Sequence, residues 1–136
     1  MISRTQVIID WITALGWDAQ QELGYPLLPG PLILDSPDQA VFITLTGGPG
    51  YTTEEPATDA WSFQARVRGP SDDPASPEVA AIQLDQLILR AGYPTSVDGL
   101  AIQHAHRLGG PPVPLPVDPE DLRHEFTSNY VIITGV

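Results

Sequence analysis

The chain has no cysteine and no lysine, and nowhere a long apolar run. Without cysteine there is no disulfide and no thiolate-bound metal. No stretch of about 18 apolar residues is present, so no helix is expected to span a membrane. The N-terminus opens Met-Ile-Ser-Arg and then turns amphipathic, with Asp10 inside the pattern. It lacks the apolar block and cleavage site of a secretory signal, so the expectation is a protein that begins in the cytoplasm. Positive charge is scarce as well. Six basic residues, all arginine, stand against 17 Asp+Glu, for a formal charge of −11. Such a chain does not hold nucleic acid by general phosphate neutralisation, although it can surround DNA without adhering to it.

What is present fits one domain over residues 1–136. A domain of this size buries about two-thirds of its unfolded surface, enough for a core without staples. Fifteen prolines and 12 glycines predict long, stiff loops, while 42% hydrophobic content keeps the chain globular.

Residues 4–15 predict a helix, with Ile8, Trp11, Ile12 and Leu15 on one stripe, Ser3 and Gln6 at capping-box spacing and Gly16 as the stop. Leu32-Ile33-Leu34 reads as an edge strand or packed loop, and 40–46 as a strand. A polar loop over 47–59 is longer than a hairpin needs. Residues 60–68 then alternate: Trp61, Phe63, Ala65 and Val67 share one face, and Ser62, Gln64, Arg66 and Arg68 the other, solvated one. Ser76 as N-cap and Pro77 at the first position start a second helix that runs to about Ala91. Its buried stripe is Ala80, Leu84, Leu87, Ile88 and Ala91, widened by Val79 and Ile82. Strands are expected over 98–107 and 122–134, with a rigid proline-rich loop over 109–119 between them. The sum is an α+β two-layer domain: one mostly antiparallel sheet of four to five strands packed by two helices, in the order α-β-β-(β)-α-β-β. Trp11, Leu84, Leu87, Trp61 and Phe63 should be buried together.

Candidate chemistry is thin. His104 and His106 lie two apart on a strand, and with His124 or a carboxylate they would make a zinc site. A solvated or interface pair fits them better. Glu54-Glu55 and Asp72-Asp73 are adjacent carboxylates in proline-rich polar loops, where acid–base work has no dry cleft. Gly47-Gly48-Pro49-Gly50 follows a strand, but Thr-Thr-Glu-Glu-Pro comes after it and no lysine exists to hold phosphate, so it reads as a hinge. No serine sits in a nucleophile elbow. No catalytic, cofactor-binding or metal-binding residue is assigned. Arg66 and Arg68 read either as salt bridges to an acidic surface or as pairs across a subunit interface.

The segment Trp61-Ser-Phe-Gln-Ala-Arg-Val-Arg-Gly-Pro, the short acidic gap, the helix over 79–91 and the exit Gly92-Tyr93-Pro94 resemble the minor capsid and tail-terminator family of long-tailed phages. The resemblance implies a structural protein rather than an enzyme, with no cofactor. It implies a homo-oligomeric ring, most simply a hexamer, that caps the tail tube and joins it to the head-completion or stopper protein. DNA would pass through the lumen without sequence-specific binding, and the protein would reside in the virion tail or neck after assembly in the host cytoplasm. Another neck or stopper component is the neighbouring alternative, and a small acidic ligand-binding module the alternative of a different class. Candidate interface residues are Tyr51, Thr52, Glu54 and Glu55 in the polar loop, with Arg66 and Arg68 on the strand after it.

Overall fold

A computed structural model of the chain describes residues 3–17, 24–31, 38–46, 58–117, 119–120 and 122–135. Helix α1 (Arg4–Ala14) starts where the capping pattern places it. Ser3 Oγ accepts from the Gln6 amide at 3.1 Å, while the Gln6 side chain turns away to donate to Asp10. Gly16, at φ +120°, ends the turn after it.

Six strands follow in the chain: β1 (Leu27–Pro29), β2 (Ala40–Leu45), β3 (Thr58–Ser71), β4 (Thr95–Val97), β5 (Leu100–Pro114) and β6 (Arg123–Gly135), with α2 (Ala75–Leu89) between β3 and β4. They form one sheet in the order β1-β2-β3-β6-β5-β4, curled into a half-barrel. β1 runs parallel to β2, and every other pairing is antiparallel. The expected two-layer domain with a sheet of four to five strands is therefore wrong: the sheet has six strands, is mixed and curls. The two missed strands have three residues each, too short to show any alternation. The segment 32–34, expected as an edge strand, lies outside the described residues.

The proline-rich stretch is a second correction. Residues 109–114 belong to β5, not to a loop. β4 covers only Leu100–Ile102 of β5, so the prolines lie along an open edge, where a missing N–H breaks no ladder bond on that side. A register shift between Leu108 and Val113 absorbs the irregularity on the β6 side.

α2 begins two residues before Pro77. Asp73 caps it, accepting from the amides of Ala75 (3.2 Å) and Ser76 (3.1 Å). Ser76 shares a 2.6 Å hydrogen bond with the Tyr25 hydroxyl instead. Trp17 Nε1 donates to the Tyr25 carbonyl at 2.8 Å, so the segment entering β1 is tied to both helices.

Both helices lie on one face of the sheet. α2 packs on β3, β5 and β6, and α1 touches β1, β2 and β4, the two ends of the sheet at once. The core between them holds Trp11, Phe63, Leu84, Ile88, Tyr130 and Ile132, with Trp61 buried and Leu87 partly so. Trp11 meets Phe63 edge-on at 6.4 Å and Phe63 stacks on Tyr130 at 5.3 Å. Leu84 is fully buried. Leu84→Ala should therefore cost about 2–5 kcal/mol in urea unfolding, and Leu87→Ala less. A loss for Leu84→Ala of about 0.5 kcal/mol, the size of a surface change, would contradict this packing.

Candidate interaction surface

Strand β3 alternates as its sequence predicts, but its second face is not simply wet. Trp61, Phe63, Ala65 and Val67 point into the core. Opposite them, Ser62 and Arg68 are buried too, alongside Phe42 of β2 and Val131 of β6. Arg68 is only 3% exposed. Its Nε donates to the Asp38 carbonyl at 3.2 Å, and its guanidinium lies 5.2 Å from the Phe42 ring centroid, a cation–π contact. The expectation of a solvated Arg68 is therefore corrected. Alternation separates two faces, but it does not report that neighbouring strands cover the second one.

Arg66 differs. Its Nε donates to Glu125 on β6, and its side chain stays 37% exposed. It is a surface ion pair with donors to spare, since a guanidinium carries five. Arg4 pairs with Asp59 at 3.1 Å and lies over Trp61, and Arg123 pairs with Asp38. Arg90 donates through its amide to the Gln86 carbonyl at 2.9 Å, but its guanidinium makes no ion pair or hydrogen bond among the described residues. It lines an open groove of about 630 Å³ between the helices, with Leu15, Gln83, Gln86 and Leu87. Tyr51, Thr52, Glu54 and Glu55 lie outside the described residues, as does the glycine segment 47–50.

The histidines do not converge. A register shift around Gln103 leaves His104 opposite Ile133 and His106 opposite Val131, on the outer face, while Ile102 and Ala105 point inward. The two rings stack at 5.8 Å, with Tyr93 edge-on to His104. His124 instead lines a groove beside α2. Among the described residues no cluster of three or more His, Asp or Glu forms. Asp72 and Asp73 are turn and cap residues: Asp72 adopts φ +59°, with its amide bonded to the Leu122 carbonyl at 2.8 Å.

Two apolar surfaces stand out. On α2, Val79, Ile82 and Leu89 are exposed, although the helical pattern assigns the first two to the buried stripe. α2 carries apolar residues on more than one side, and the buried arc is Pro77, Ala80, Ala81, Leu84, Asp85 and Ile88. Beside Ile82 opens a groove of about 490 Å³ walled by Pro74, Pro111, Pro112, Pro114 and Phe126. The other surface is on the opposite side of the sheet. There Leu108 and Val113 of β5 project, exposed, next to Asn129 and Thr127 of β6. Arg66 flanks Thr127 from the other side.

Sequence reasoning missed a buried polar junction. Asp85 accepts from Arg107 of β5 at 2.6 Å and from the Tyr130 hydroxyl of β6 at 2.8 Å. Burial holds the Tyr130 hydroxyl well above the usual tyrosine range. The signal was available: Asp85 occupies the i+4 position of the inward set Ala81, Leu84, Asp85, Ile88. Asp98 is exposed in the β4–β5 turn, and the neighbouring Asp10 carboxyl of α1, through a side-chain hydrogen bond, raises its pKa.

No protein-family model and no curated protein matches the chain. Solved structures do. One, whose printed name states no function, aligns over 97% of this chain and 96% of its own, at 18% identity and a TM-score of 0.56. At that identity the likeness concerns the fold alone.

Two measurements test the polar contacts. Asp85→Ala leaves the half-buried Arg107 and the buried Tyr130 hydroxyl without their shared acceptor, and chemical unfolding should show a loss of about 3 kcal/mol. For Asp98, the raised pKa means that the folded form holds the proton more tightly than the unfolded chain. Its contribution to stability is therefore greatest below the ordinary aspartate range and declines as pH rises through the raised value. Asp98→Asn should raise the melting temperature at pH 7 and lose that advantage on acidification. An advantage independent of pH would show that the two carboxyls do not communicate.

Proposed function

We propose that the protein is a structural ring subunit, a tail terminator that caps the tail tube of a long-tailed phage and joins it to the head-completion or stopper protein. One observation carries the reading furthest. Exposed apolar surfaces on α2 and on the outer face of β5 lie on opposite sides of the sheet. Self-assembly through two different patches is heterologous, and heterologous contacts that close make rings. The resemblance of the 61–70 strand and the 79–94 segment to that phage family supplies the identity of the ring. Charge agrees with it. Six copies at −11 carry 6 × 11 = 66 formal negative charges. A lumen so lined lets DNA pass without sticking. On this reading the protein resides in the virion tail or neck, and the polar loop with Tyr51, Thr52, Glu54 and Glu55 reaches a neighbouring subunit or the tube.

The test is on particles. In the phage that carries the gene, deletion of the gene should leave filled heads beside overlong or unjoined tails under electron microscopy. Deletion of residues 50–57 or Arg66→Glu should give a weaker form of the same defect. Arg68 is left unchanged in this test because its burial makes any substitution a folding defect. Normal tail lengths after gene deletion overturn the terminator function. Tails of normal length with leaking heads assign the protein to the stopper position instead.

A further inference from the structure

We infer that the subunit contact places the α2 stripe of one copy on the outer β5–β6 face of the next, with Val79, Ile82 and Leu89 against Leu108 and Val113 and with Glu78 facing Arg66. The inference rests on the ring reading and names the surfaces that make it. The stripe on α2 repeats at three- and seven-residue spacing, so its side chains form one ridge along the helix. On the receiving side, Leu108 and Val113 lie one above the other across the register shift, and Val113 is 55% exposed. Within one copy the two patches never meet, because Val113 shares a face with Arg66 and Thr127 while α2 covers the other face. Each copy therefore offers one patch and receives the other. The β5–β6 arm ends up layered between its own α2, across the proline-walled groove, and the α2 of its neighbour.

Charge selects the register. At −11 each copy repels another, and most apposed surfaces meet acid against acid. Arg66 is an exception, exposed and with donors left beyond its bond to Glu125. Glu78 and Val79 are adjacent and exposed on the first turns of α2. Seating Val79 near Val113 brings Glu78 toward Arg66, across the width of Thr127. Two or three apolar anchors a side fall short of the roughly 800 Å² per partner of a standard stable pair. The contact is thus weak singly and gains strength from ring closure, where no copy is held at one side alone.

The absence of native cysteine makes this contact directly readable. A full-length chain carrying Val79→Cys and Val113→Cys is oxidised at high concentration and resolved by denaturing electrophoresis. The expected result is a ladder of disulfide-linked oligomers ending at one closed size, while either single variant gives dimers at most. Equal cross-linking by a single variant, or no ladder from the double, overturns the contact. Charge reversal gives an independent readout that does not depend on the cysteines. Glu78→Arg and Arg66→Glu should each weaken concentration-dependent association in light scattering several-fold, and the two in one chain should restore it. Failure of the double reversal to restore association also overturns the contact. The phage test separates the two proposals: a ladder with normal tails after gene deletion keeps the surface and removes the tail function. Abnormal tails without a ladder do the reverse.

Discussion

Everything in the fold depends on α1 touching both ends of one sheet. A six-stranded sheet that stayed open would hold β1 and β4 far apart, beyond the reach of one 11-residue helix. The curl brings them in, and Ile8, Trp11 and Ile12 then fill the space inside it. The short edge strands follow from this geometry. β1 and β4 need only three residues each, because their partners are a parallel neighbour on one side, a tight turn on the other, and the helix beneath both. Asp98 sits in that turn, so the acid contact with Asp10 is located where the curl is fastened.

α2 is fixed by a different device. Most of its inward arc is aliphatic, yet its centre is a carboxylate bridging Arg107 and Tyr130 from two adjacent strands. Such a junction adds less stability than hydrocarbon of the same volume, but its directional bonds permit one placement of the helix. That placement leaves Val79, Ile82 and Leu89 outward. The polar core and the apolar surface of α2 are thus one choice seen from two sides.

How much the sequence reveals varies with the range of the interaction. The α1 cap at Ser3, the inward set Trp61, Phe63, Ala65 and Val67, and the joint burial of Trp11 and Leu84 are all legible, because helix and strand periods record which face is buried. β1 and β4 are not legible, since three residues hold no period and a parallel pairing leaves no turn signal. Ser76 has the right chemistry for a cap, but Asp73 takes the role because Tyr25, 51 residues away, engages the Ser76 hydroxyl. Arg66 and Arg68 look equivalent in an alternating strand. Only the pairing of β3 with β2 shows that Arg68 lies beside Phe42 and Asp38. Simple alternation from Ile102 would put the histidine pair on its face, and one extra residue at Gln103 reverses it.

The prolines of β5 have a consequence for how copies can meet. Beyond Ile102 the strand has no partner strand on its outer side among the described residues, and an unpaired edge of that length ordinarily invites another strand to add itself. Pro111, Pro112 and Pro114 have no amide hydrogen to offer. This stretch of the edge therefore cannot template an intermolecular ladder, the open-ended geometry of fibres. Any contact between copies at this stretch is left to side-chain surfaces, whose angle is set by shape. A row of imino acids in what looks like a loop is thus a barrier against endless strand-by-strand growth.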